Sequence, residues 1–578
     1  MISFVTDLYK TKLIIEIVAG FYYLCGLTCL LHRSTINVLE RMDSMTQNKA
    51  NNSKKVIATV TAVSLLAGGV YEVNRLSAEP TVEKDCEPVS AEGEALAATD
   101  IQVEIAPLPV SQLLHWKQKG GTINDVSCLN RTAVYGIVQI RNIDDIKNAV
   151  TLAKEEKLKI SMAGVRHSMG GQAFYKNNLV LDMTQFNQMS LDEENMILTV
   201  QSGATWHDIQ NFLHPYYAVK AMQSTDIFTV GGSISVNAHG MDHLAGSVGS
   251  SIVAMRVMLA DGTVVNVSRE ENPELFSLVV GGYGLFGIIL DVDLQIVNND
   301  IYETERQMVS YKDFPEIFEN EILPDPNLGL FYGHLSTAKN SLLDEMIFYK
   351  YTKVDIGEAE IPPLGEVSSI KLRRFVFNFS KLGNIPMNIK WYLEKNVEPM
   401  LESCTVVPRT QAMSEGEACF VSRNEPMHDS VAYIRNNLKK ETDILHEYFI
   451  PREQFIPFVD GLRRIVQDYD VNLLNASVRV IHPEDNFLTY APAEMYSIVL
   501  YINQPVSIEG NEHMAKVTSE LIDLTHQVNG RFFLPYQLYY TPEQLEASYP
   551  EIKEFFELKK FYDPEGLFTN TWYEKYGK

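Results

Sequence analysis

The chain has 578 residues, which is more than one ordinary hydrophobic core holds, so two domains with additional segments are expected. Its 74 acidic and 49 basic residues give a formal net charge of −25, which argues against nucleic acid as a partner. The six cysteines form no C-x-x-C pair and match no zinc-binding spacing, so we expect scattered free thiols, although Cys404 and Cys419 could pair in an exported domain.

Residues 1–78 are predicted to form a membrane anchor or a targeting region. Leu13–Leu31 and Val56–Val73 are apolar runs near the lower limit for crossing a bilayer, and the loop between them is basic. By the positive-inside rule that loop is cytoplasmic, which places the rest of the chain on the outer side. The alternatives are a signal peptide, or a translation start at Met42 or Met45 that leaves the second run as a signal anchor. In each case the remainder is exported or tethered to the membrane.

An acidic linker is predicted next, over residues 79–123. Between Ser77 and Asp100 there are seven carboxylates, one lysine, many alanines and almost no aromatic residue. Such a segment cannot bury enough apolar surface to fold alone, so it is typical of a solvated linker.

The first regular elements follow this linker. Val134–Ile140 is a strand by its β-branched content, a helix begins after Asn142 with a carboxylate three positions on, and Leu158–Met162 is the next strand. Strand, helix and strand at this spacing are typical of a βαβ unit. Further elements are predicted as two strands and one helix: Leu179–Met183, Met196–Gln201, and Trp206–Leu213 capped by Thr205.

A glycine-rich loop over Ala163–Ala173 follows the second of these strands. It contains three glycines together with Arg166, His167 and Ser168. Successive backbone N–H groups beside an arginine form a natural anion site, and glycine lets a ligand approach the backbone closely. The loop matches neither the G-x-G-x-x-G fingerprint nor the P-loop.

Two more glycine segments occur downstream, at Thr229–Gly240 and Gly281–Ile288. Between them, Val253–Ala260 and Thr263–Val267 predict a hairpin, and the Asp-Gly pair that joins them favours a type I′ turn.

Two histidines near the second glycine segment raise the question of a metal. His239 and His243, with Asp242 beside them, could bind zinc only if a further ligand converged. Loop histidines that hydrogen-bond near a cofactor are the favoured interpretation, and no metal site is predicted.

Taken together, the three glycine segments resemble the flavin-binding loops of the vanillyl-alcohol-oxidase type of FAD enzymes, in the aldonolactone and alditol oxidase branch. The resemblance covers about Asn124 to the C-terminus, including the closing pattern Phe561–Asn570. It implies FAD as the cofactor, attached covalently through His167, because covalent members carry the flavin on this histidine. A neutral imidazole is a suitable nucleophile for that link. The alternative is that His167 only hydrogen-bonds within the loop and FAD binds noncovalently.

The resemblance also assigns cofactor contacts to the three segments. Gly231 and Gly232 would allow close approach of the backbone, and the third segment would bracket the adenine and ribose. The implied cofactor-binding residues are Gly164, Val165, Arg166, His167, Ser168, Met169, Gly170, Gly171, Gln172, Thr229, Gly231, Gly232, Ser233, Asn237, His239, Gly240, Gly282, Gly287 and Ile288.

The implied fold class is α+β, with the N-terminal transmembrane segment or segments preceding it. A two-subdomain PCMH-type FAD-binding domain would cover residues 124–300, an α+β substrate (cap) domain 301–510, and a C-terminal segment that returns to the FAD domain 511–578. In the cap region, patterns predict two helices and two strands: Asp429–Thr442, Arg452–Tyr469, Asn475–His482 and Tyr496–Asn503.

The implied reaction is oxidation of a C–H bond beside a hydroxyl group, with hydride transfer to the flavin and with O₂ or quinone as the acceptor. The substrate would be sugar-like: an aldonolactone such as D-arabinono-1,4-lactone, an alditol or a sugar. This chemistry needs a proton acceptor, a positive group and a dry pocket.

Three residues are candidates for these catalytic roles. Glu447 would lie over the flavin on a cap strand, or else be an exposed strand carboxylate. Arg479 lies among apolar residues and needs a partner, either substrate or flavin or a structural ion pair. Tyr536 occupies the position where decaprenylphosphoryl-ribose oxidases carry a catalytic lysine, and a phenol relays a proton without a fixed charge. A register shift of one residue would place Gln537 there.

Two rival functions remain. One is a membrane-tethered flavin dehydrogenase that passes electrons to quinone. The other is a membrane-anchored flavoprotein-like scaffold without catalysis, which the missing lysine favours.

Overall fold

The computed structural model describes residues 71–80, 114–357, 359–398, 405–408 and 419–578. The chain forms two compact units, residues 1–77 and 78–578. The described part of the first unit is a helix over 71–77, in which Arg75 pairs with Glu72. Within the described ranges, no helix combines the length and the apolar character needed to cross a membrane. Leu13–Leu31, and Val56–Val73 apart from its last three residues, lie outside those ranges.

The first sheet of the second unit has four strands. Their spatial order is Trp116–Lys119, Gly136–Gln139, Leu179–Asp182 and Ile160–Ala163. The last three are parallel, and helix Ile143–Glu155 forms the crossover between them. Asn142 and Asp145 form the predicted capping box at its start. A separate two-stranded ribbon pairs Thr122–Ile123 with Thr132–Ala133.

The second sheet is antiparallel. Its strands run in the order Val264–Ser268, Ile252–Met258, Ile288–Asn298, Ile197–Gln201 and Met189–Asp192, and Tyr217–Val219 pairs with the far end of Ile288–Asn298. Its helical elements are Trp206–Leu213, Val230–Val236, Val248–Ser251 and Pro273–Val279. The predicted helix over Trp206–Leu213 and its Thr205 cap are confirmed.

The predicted hairpin is confirmed, but its turn type is wrong. The Gly262 N–H donates to the Leu259 carbonyl, and Gly262 alone in the loop has a positive φ, of 96°. A type I′ turn needs positive φ at both central residues. The Asp261 side chain instead accepts hydrogen bonds from the Thr263 N–H and hydroxyl, which favours a wider loop with glycine as its last residue.

The third sheet is antiparallel and has eight strands. Their order is Cys419–Ser422, Ile301–Ser310, Glu345–Lys353, Leu328–Leu335, Asn472–Ile481, Met495–Pro505, Glu441–Pro451 and Arg531–Phe532. Helical elements accompany it: Phe314–Ile317, Phe318–Ile322, Lys339–Ser341, Ile370–Ser380, Asn384–Asn396, Glu425–Met427, Arg452–Gln454, Phe455–Asp468 and Ile508–Gln527. Ala359–Glu360 and Val407–Pro408 form a small ribbon.

Successive residues of a strand face opposite sides of this sheet. His446 contacts Thr518 of helix Ile508–Gln527, so its side is covered by that helix. Glu447, the next residue, faces the other side of the sheet. It contacts His239, which belongs to the part of the chain that forms the second sheet. The apolar core is continuous between the second and third sheets, whereas the first sheet packs in a separate cluster that also includes Met258, Ile288 and Leu290 of the second sheet.

The helix predicted over Asp429–Thr442 is wrong, because residues 428–440 form turns and irregular backbone. Val431 has a positive φ of 44°, which a β-branched residue adopts only under tertiary constraint. The Asn436 amide donates to the Leu438 carbonyl and its oxygen accepts from the Leu438 N–H, which replaces helical backbone pairing. The helix near Arg452–Tyr469 and the strands near Asn475–His482 and Tyr496–Asn503 are confirmed.

The C-terminal segment contacts the first sheet. It contains the helices Pro542–Ser548, Ile552–Tyr562 and Thr571–Tyr576. Ile160, the first residue of the sheet's edge strand, pairs with Phe568. The Ile160 N–H donates to the Leu567 carbonyl, and the Ile160 carbonyl accepts from the Thr569 N–H. Cys128 and Cys419 are disulfide-bonded, so the expectation of free thiols is wrong for both.

Candidate functional site

The three glycine segments meet at one place in the fold. A Cβ atom at Gly164 would lie 2.0 Å from the Thr229 hydroxyl, so the first segment touches the second. The N–H groups of Gly281 and Tyr283 donate to carbonyls of helix Val230–Val236, which joins the third segment to the second. Residues separated by more than 100 positions therefore meet at one place.

His167 is half-buried in the first loop, between Arg166 and Ser168. Its imidazole packs edge-on against Phe228, with ring centroids 4.7 Å apart. Burial and the positive charges of Arg435 and Arg166 lower the pKa of His167 to about 4. The ring is therefore neutral at physiological pH, and a neutral imidazole has a nitrogen lone pair available for attack.

Arg166 is exposed and has a positive φ of 60°. Its guanidinium donates to the Asn124 carbonyl, and its own carbonyl accepts from the Val126 N–H. These bonds hold Arg166, with the half-buried Val165 and Ser168, in the turn that the anion-site prediction requires.

The second half of this loop is hydrogen-bonded to the C-terminal segment. The Met169 N–H donates to the Pro535 carbonyl, and the Gln172 amide donates to the Leu534 carbonyl at 2.8 Å and to that of Tyr536. A Cβ atom at Gly170 would lie 2.4 Å from the Tyr536 carbonyl. These residues thus position the loop against the segment that carries Tyr536.

A buried carboxylate that sequence reasoning missed supports the same loop. Asp125 accepts a hydrogen bond from the Gly171 N–H and others from Ser127 and Asn130. Burial raises its pKa to about 6 despite these bonds. Nothing in the sequence around Asp125 distinguishes it from other linker carboxylates, because its partner lies 46 positions away.

In the second segment, Gly232 is exposed and its missing side chain leaves open space. A Cβ atom there would approach only Thr229, at 3.1 Å. Gly231 and Gly240 differ, because added Cβ atoms would collide with Ser202 and with the Met222 carbonyl of the protein itself.

Two polar side chains of this segment already form hydrogen bonds within the protein. The Ser233 hydroxyl accepts from the Trp206 indole and donates to Gln223. Asn237 donates to Glu484 and accepts from the Gly249 N–H. Their backbone N–H groups also donate within the protein, to the Thr229 and Ile234 carbonyls.

In the third segment, the predicted residues pack mainly on the protein. A Cβ atom at Gly282 would lie 1.9 Å from the Leu278 carbonyl, and one at Gly287 would lie 2.4 Å from Val257. Gly287 also has a φ of 152°, which requires glycine. Ile288 is 1% exposed and belongs to the core of the first sheet.

The three predicted catalytic residues lie close together, with the buried carboxylate of Glu447 at the centre. Glu447 is 4% exposed, so it is not a surface strand carboxylate. Its Oε1 atom accepts from His239 Nε2 at 2.5 Å and from the Ser497 hydroxyl, and its Oε2 atom accepts from the Tyr536 hydroxyl at 3.1 Å. The structure thus brings together Glu447, Tyr536 and His239, which was predicted only as a cofactor contact.

The charge of this carboxylate follows from its partners. Burial by itself favours the protonated form, but the charge and hydrogen bond of His239, the charge of Arg479 and the Ser497 hydroxyl outweigh it, so the pKa of Glu447 lies below its usual value. Burial and the charge of Glu447 raise the pKa of the Tyr536 phenol well above its usual value. At neutral pH the pair is a carboxylate and a neutral phenol.

Arg479 supplies a positive charge beside this pair. Arg479 is paired with Ser497 of the neighbouring strand. Electrostatic interactions with Glu447, Tyr536 and Tyr332 favour its charged form. Its Nε atom is buried without a hydrogen-bond partner, and no ion pair involves Arg479 in the described part of the chain. The structural ion pair considered from the sequence is therefore not seen there, and the guanidinium has donors available for a bound group.

The histidines near the second glycine segment point to different partners. His239 binds Glu447, His243 contacts the Leu328 carbonyl, and Asp242 pairs with Arg423. A different trio, His207, Asp226 and His428, brings three ligand atoms within 4.8 Å of one another.

These features fit a flavin. The exposed backbone at Gly232 offers a close approach, His167 is neutral, and the buried His239 Nδ1 atom lacks a hydrogen-bond partner among the described residues. The carboxylate and the guanidinium lie on strands Glu441–Pro451 and Asn472–Ile481 of the third sheet, and the phenol follows its last strand.

Comparison with known proteins agrees with this geometry. The family described as FAD binding domain matches residues 134–268, and the family described as D-arabinono-1,4-lactone oxidase matches residues 390–576. Together they include the first two glycine segments and all three predicted catalytic residues.

Individual relatives are distant. Decaprenylphosphoryl-beta-D-ribose oxidase of Mycolicibacterium smegmatis is 22% identical over 80% of this chain and 97% of that protein. L-Gulonolactone oxidase of Mus musculus is 27% identical over 28% of this chain and 36% of that protein. L-Galactono-1,4-lactone dehydrogenase, mitochondrial, of Arabidopsis thaliana is 26% identical over 33% of this chain and 30% of that protein. Other matched segments span 32% to 45% of the relatives' length.

Proposed function

Since this chain belongs to the FAD-dependent oxidoreductases that join an FAD-binding domain to a D-arabinono-1,4-lactone oxidase domain, we propose that it oxidises a CH–OH group of a sugar-like substrate. The preferred substrate class is an aldonolactone such as D-arabinono-1,4-lactone, followed by alditols and sugars. The observation that carries the proposal is the buried Glu447 carboxylate, bonded to Tyr536 and beside Arg479, whose Nε atom has no hydrogen-bond partner among the described residues.

FAD supplies a two-electron acceptor for the hydride when it is bound. Tyr536 is half-buried and is the most accessible member of the pair, so its phenol oxygen accepts the substrate hydroxyl proton while its own proton passes to Glu447. The C–H bond breaks as hydride, the O–H bond as proton, and the product is a carbonyl compound. His239 stabilises the Glu447 carboxylate before this transfer.

Arg479 binds the substrate oxygen that becomes electron-rich during the reaction. Arginine stays charged at any physiological pH, and a donor in a water-poor site stabilises developing charge strongly. It also supplies the fixed positive charge that Tyr536 lacks in comparison with a lysine. The aromatic rings of Phe449, Tyr490 and Phe533 pack around His239 and exclude water.

We propose further that FAD is attached to His167. The support is the neutral, half-buried imidazole that packs against Phe228. Electrons then pass to O₂ or to a quinone, and the sequence favours neither.

Location is a separate part of the proposal. The apolar runs of the N-terminal region and their basic loop favour a membrane anchor with the enzyme on the outer side. The disulfide bonds of Cys128 and Cys419 support an oxidising compartment, where such bonds form and persist.

The experiment starts with the full chain. Its visible spectrum is recorded, the protein is precipitated with acid, and the pellet is examined for flavin. Aldonolactones, alditols and sugars are then added without oxygen, and loss of the oxidised flavin band identifies a substrate. O₂ and a soluble quinone are compared as acceptors.

Each result has a defined meaning. Bleaching by a lactone or a polyol supports the proposed reaction, and yellow colour that stays in the pellet supports the His167 link. Colour released to the supernatant contradicts the link but not the reaction. A flavin that no sugar-like compound reduces favours the non-catalytic scaffold.

A further inference from the structure

A second histidine–carboxylate group lies apart from the proposed catalytic carboxylate. His207 is in the first turn of helix Trp206–Leu213, Asp226 is in the loop before the second glycine segment, and His428 follows the turn Glu425–Met427. Asp226 Oδ2 lies 2.9 Å from His207 Nδ1 and 3.1 Å from His428 Nδ1. The two imidazole centroids are 4.7 Å apart.

Hydrogen bonding within the protein leaves this group incomplete. Asp226 is 1% exposed, and its second oxygen, Oδ1, is buried without a hydrogen-bond partner in the described part of the chain. Both imidazoles approach the same oxygen. Among the described residues, no lysine or arginine forms an ion pair with Asp226. A buried carboxylate in such a place needs a positive partner.

Neighbouring residues orient the possible ligands. His207 Nε2 lies 3.4 Å from the Glu366 carboxylate, which is the contact that fixes a histidine whose other nitrogen binds a metal. The buried Gln210 amide donates to the Asn424 carbonyl, which directs its oxygen to within 3.1 Å of His428 Nδ1.

The backbone holds the two loops together at the same place. The Thr225 hydroxyl donates to the Asp429 carbonyl at 2.6 Å, and the Asp226 N–H donates to the same carbonyl. Asp226 and His428 are therefore positioned by bonds independent of their own side chains.

We propose that His207, Asp226 and His428 bind one Zn²⁺ ion through their Nδ1, carboxylate and Nδ1 atoms, with the Gln210 oxygen available as a fourth ligand. Two imidazole nitrogens and a carboxylate are a set that zinc prefers, whereas Ca²⁺ and Mg²⁺ favour oxygen ligands throughout. The ion joins the helix and loop of the second sheet to the segment before strand Glu441–Pro451. Phe228, which packs on His167, is two residues from Asp226, so the ion also stabilises the wall behind the proposed flavin link.

The test uses the full chain after removal of metal with a chelator and dialysis. Zn²⁺ is titrated in competition with a chromophoric chelator for the wild type, Asp226→Asn and His428→Gln. We expect one tight site per chain, weakened at least about 100-fold in both variants, since loss of even a supporting residue costs 10- to 100-fold. Bound FAD and circular dichroism show whether each variant is folded.

His482→Gln is the matched control. His482 also pairs with a carboxylate, Glu494, through Nδ1, but no third ligand joins that pair in the described residues. We expect it to bind Zn²⁺ as the wild type does. Absence of a tight site in the wild type, or equal binding by wild type and both site variants, overturns the proposal.

X-ray absorption at the zinc edge keeps the proposal testable if the variants do not fold. The wild type loaded with one Zn²⁺ should show imidazole nitrogen and oxygen ligands at about 2.0–2.2 Å. Sulfur ligands at about 2.3 Å would place the ion on cysteines instead and would also overturn the proposal.

Discussion

Glu447 and Asp226 are both buried carboxylates beside histidine, but their surroundings differ. Each oxygen of Glu447 has a partner, from His239 and Ser497 on one side and Tyr536 on the other. Asp226 shares one oxygen between two imidazoles and leaves the other without a partner in the described chain.

The difference shows that residue type alone does not define a site. A carboxylate whose partners donate hydrogen bonds, one of them a half-buried phenol, can receive a proton through that phenol. A carboxylate that lies beside two imidazole nitrogens is suited to bind a metal ion, because the carboxylate oxygen and both nitrogens can act as ligands. The neighbouring cations also differ, because Arg479 lies beside Glu447, whereas no lysine or arginine of the described ranges pairs with Asp226.

The largest expected effect tests the first half of this comparison. In Glu447→Gln the phenol loses its proton acceptor, so we expect substrate-dependent flavin reduction to slow by about 10²–10⁴-fold while FAD stays bound. Stopped-flow absorbance without oxygen measures this rate. Glu494→Gln, a side chain that is 47% exposed, serves as the control. A Glu447→Gln rate within a few-fold of the wild type would contradict the proton relay.

Arg479 sharpens the comparison because it has no counterpart at Asp226. In Arg479→Gln we expect the flavin reduction rate to fall by about 10²–10³-fold, the usual cost of removing one stabilising donor. Arg479→Lys should recover part of that loss because it restores the charge without the planar geometry. Equal rates for the Gln and Lys variants would show that charge at this position is not what the reaction needs.

The third prediction concerns the histidine next to the Asp226 loop. In His167→Ala we expect nearly all of the flavin to leave with the supernatant after acid precipitation, whereas the wild-type pellet stays yellow. Flavin reduction should slow less than in the two preceding variants, because the proton relay is intact. Flavin that remains in the His167→Ala pellet would place the link on another residue.

The smallest effect concerns His446, a buried histidine that pairs with no carboxylate in the part of the chain that the structure describes. It contacts Tyr448 and Thr518, and burial lowers its pKa to about 4. Between pH 6.5 and 4 the unfolded chain therefore binds more protons here than the folded chain, so stability falls as the pH falls through this range. Above pH 6.5 the residue contributes no pH dependence.

Urea unfolding at pH 7 and pH 4.5 measures this contribution. The wild type should lose about 2–3 kcal/mol more between the two values than His446→Leu does, following the shift in pKa. The exposed His513→Leu variant controls for the loss of a histidine as such. An unchanged difference in His446→Leu would show that other groups account for the acid sensitivity.

Much of the local structure could be predicted because its causes are local. The cap at Asn142, the helix after Thr205 and the strand near Tyr496–Asn503 follow from residues within a few positions of one another. Resemblance of the glycine segments to flavin loops then selected Glu447, Arg479 and Tyr536 together. The segment after Asp429 was mispredicted because its backbone groups bond to side chains and distant loops, which outweighs its helical pattern.

The sequence by itself therefore determined the mixed α/β FAD-binding fold and FAD as the cofactor. Only the tertiary structure decided that His239 bonds to Glu447 across 208 positions, that Asp125 supports the glycine loop, and that His207, Asp226 and His428 meet. The physical reason is that hydrogen bonds and metal ligands act over about 3 Å in space regardless of chain separation. A linear pattern records which donors and acceptors exist, whereas packing of the second and third sheets decides which of them meet.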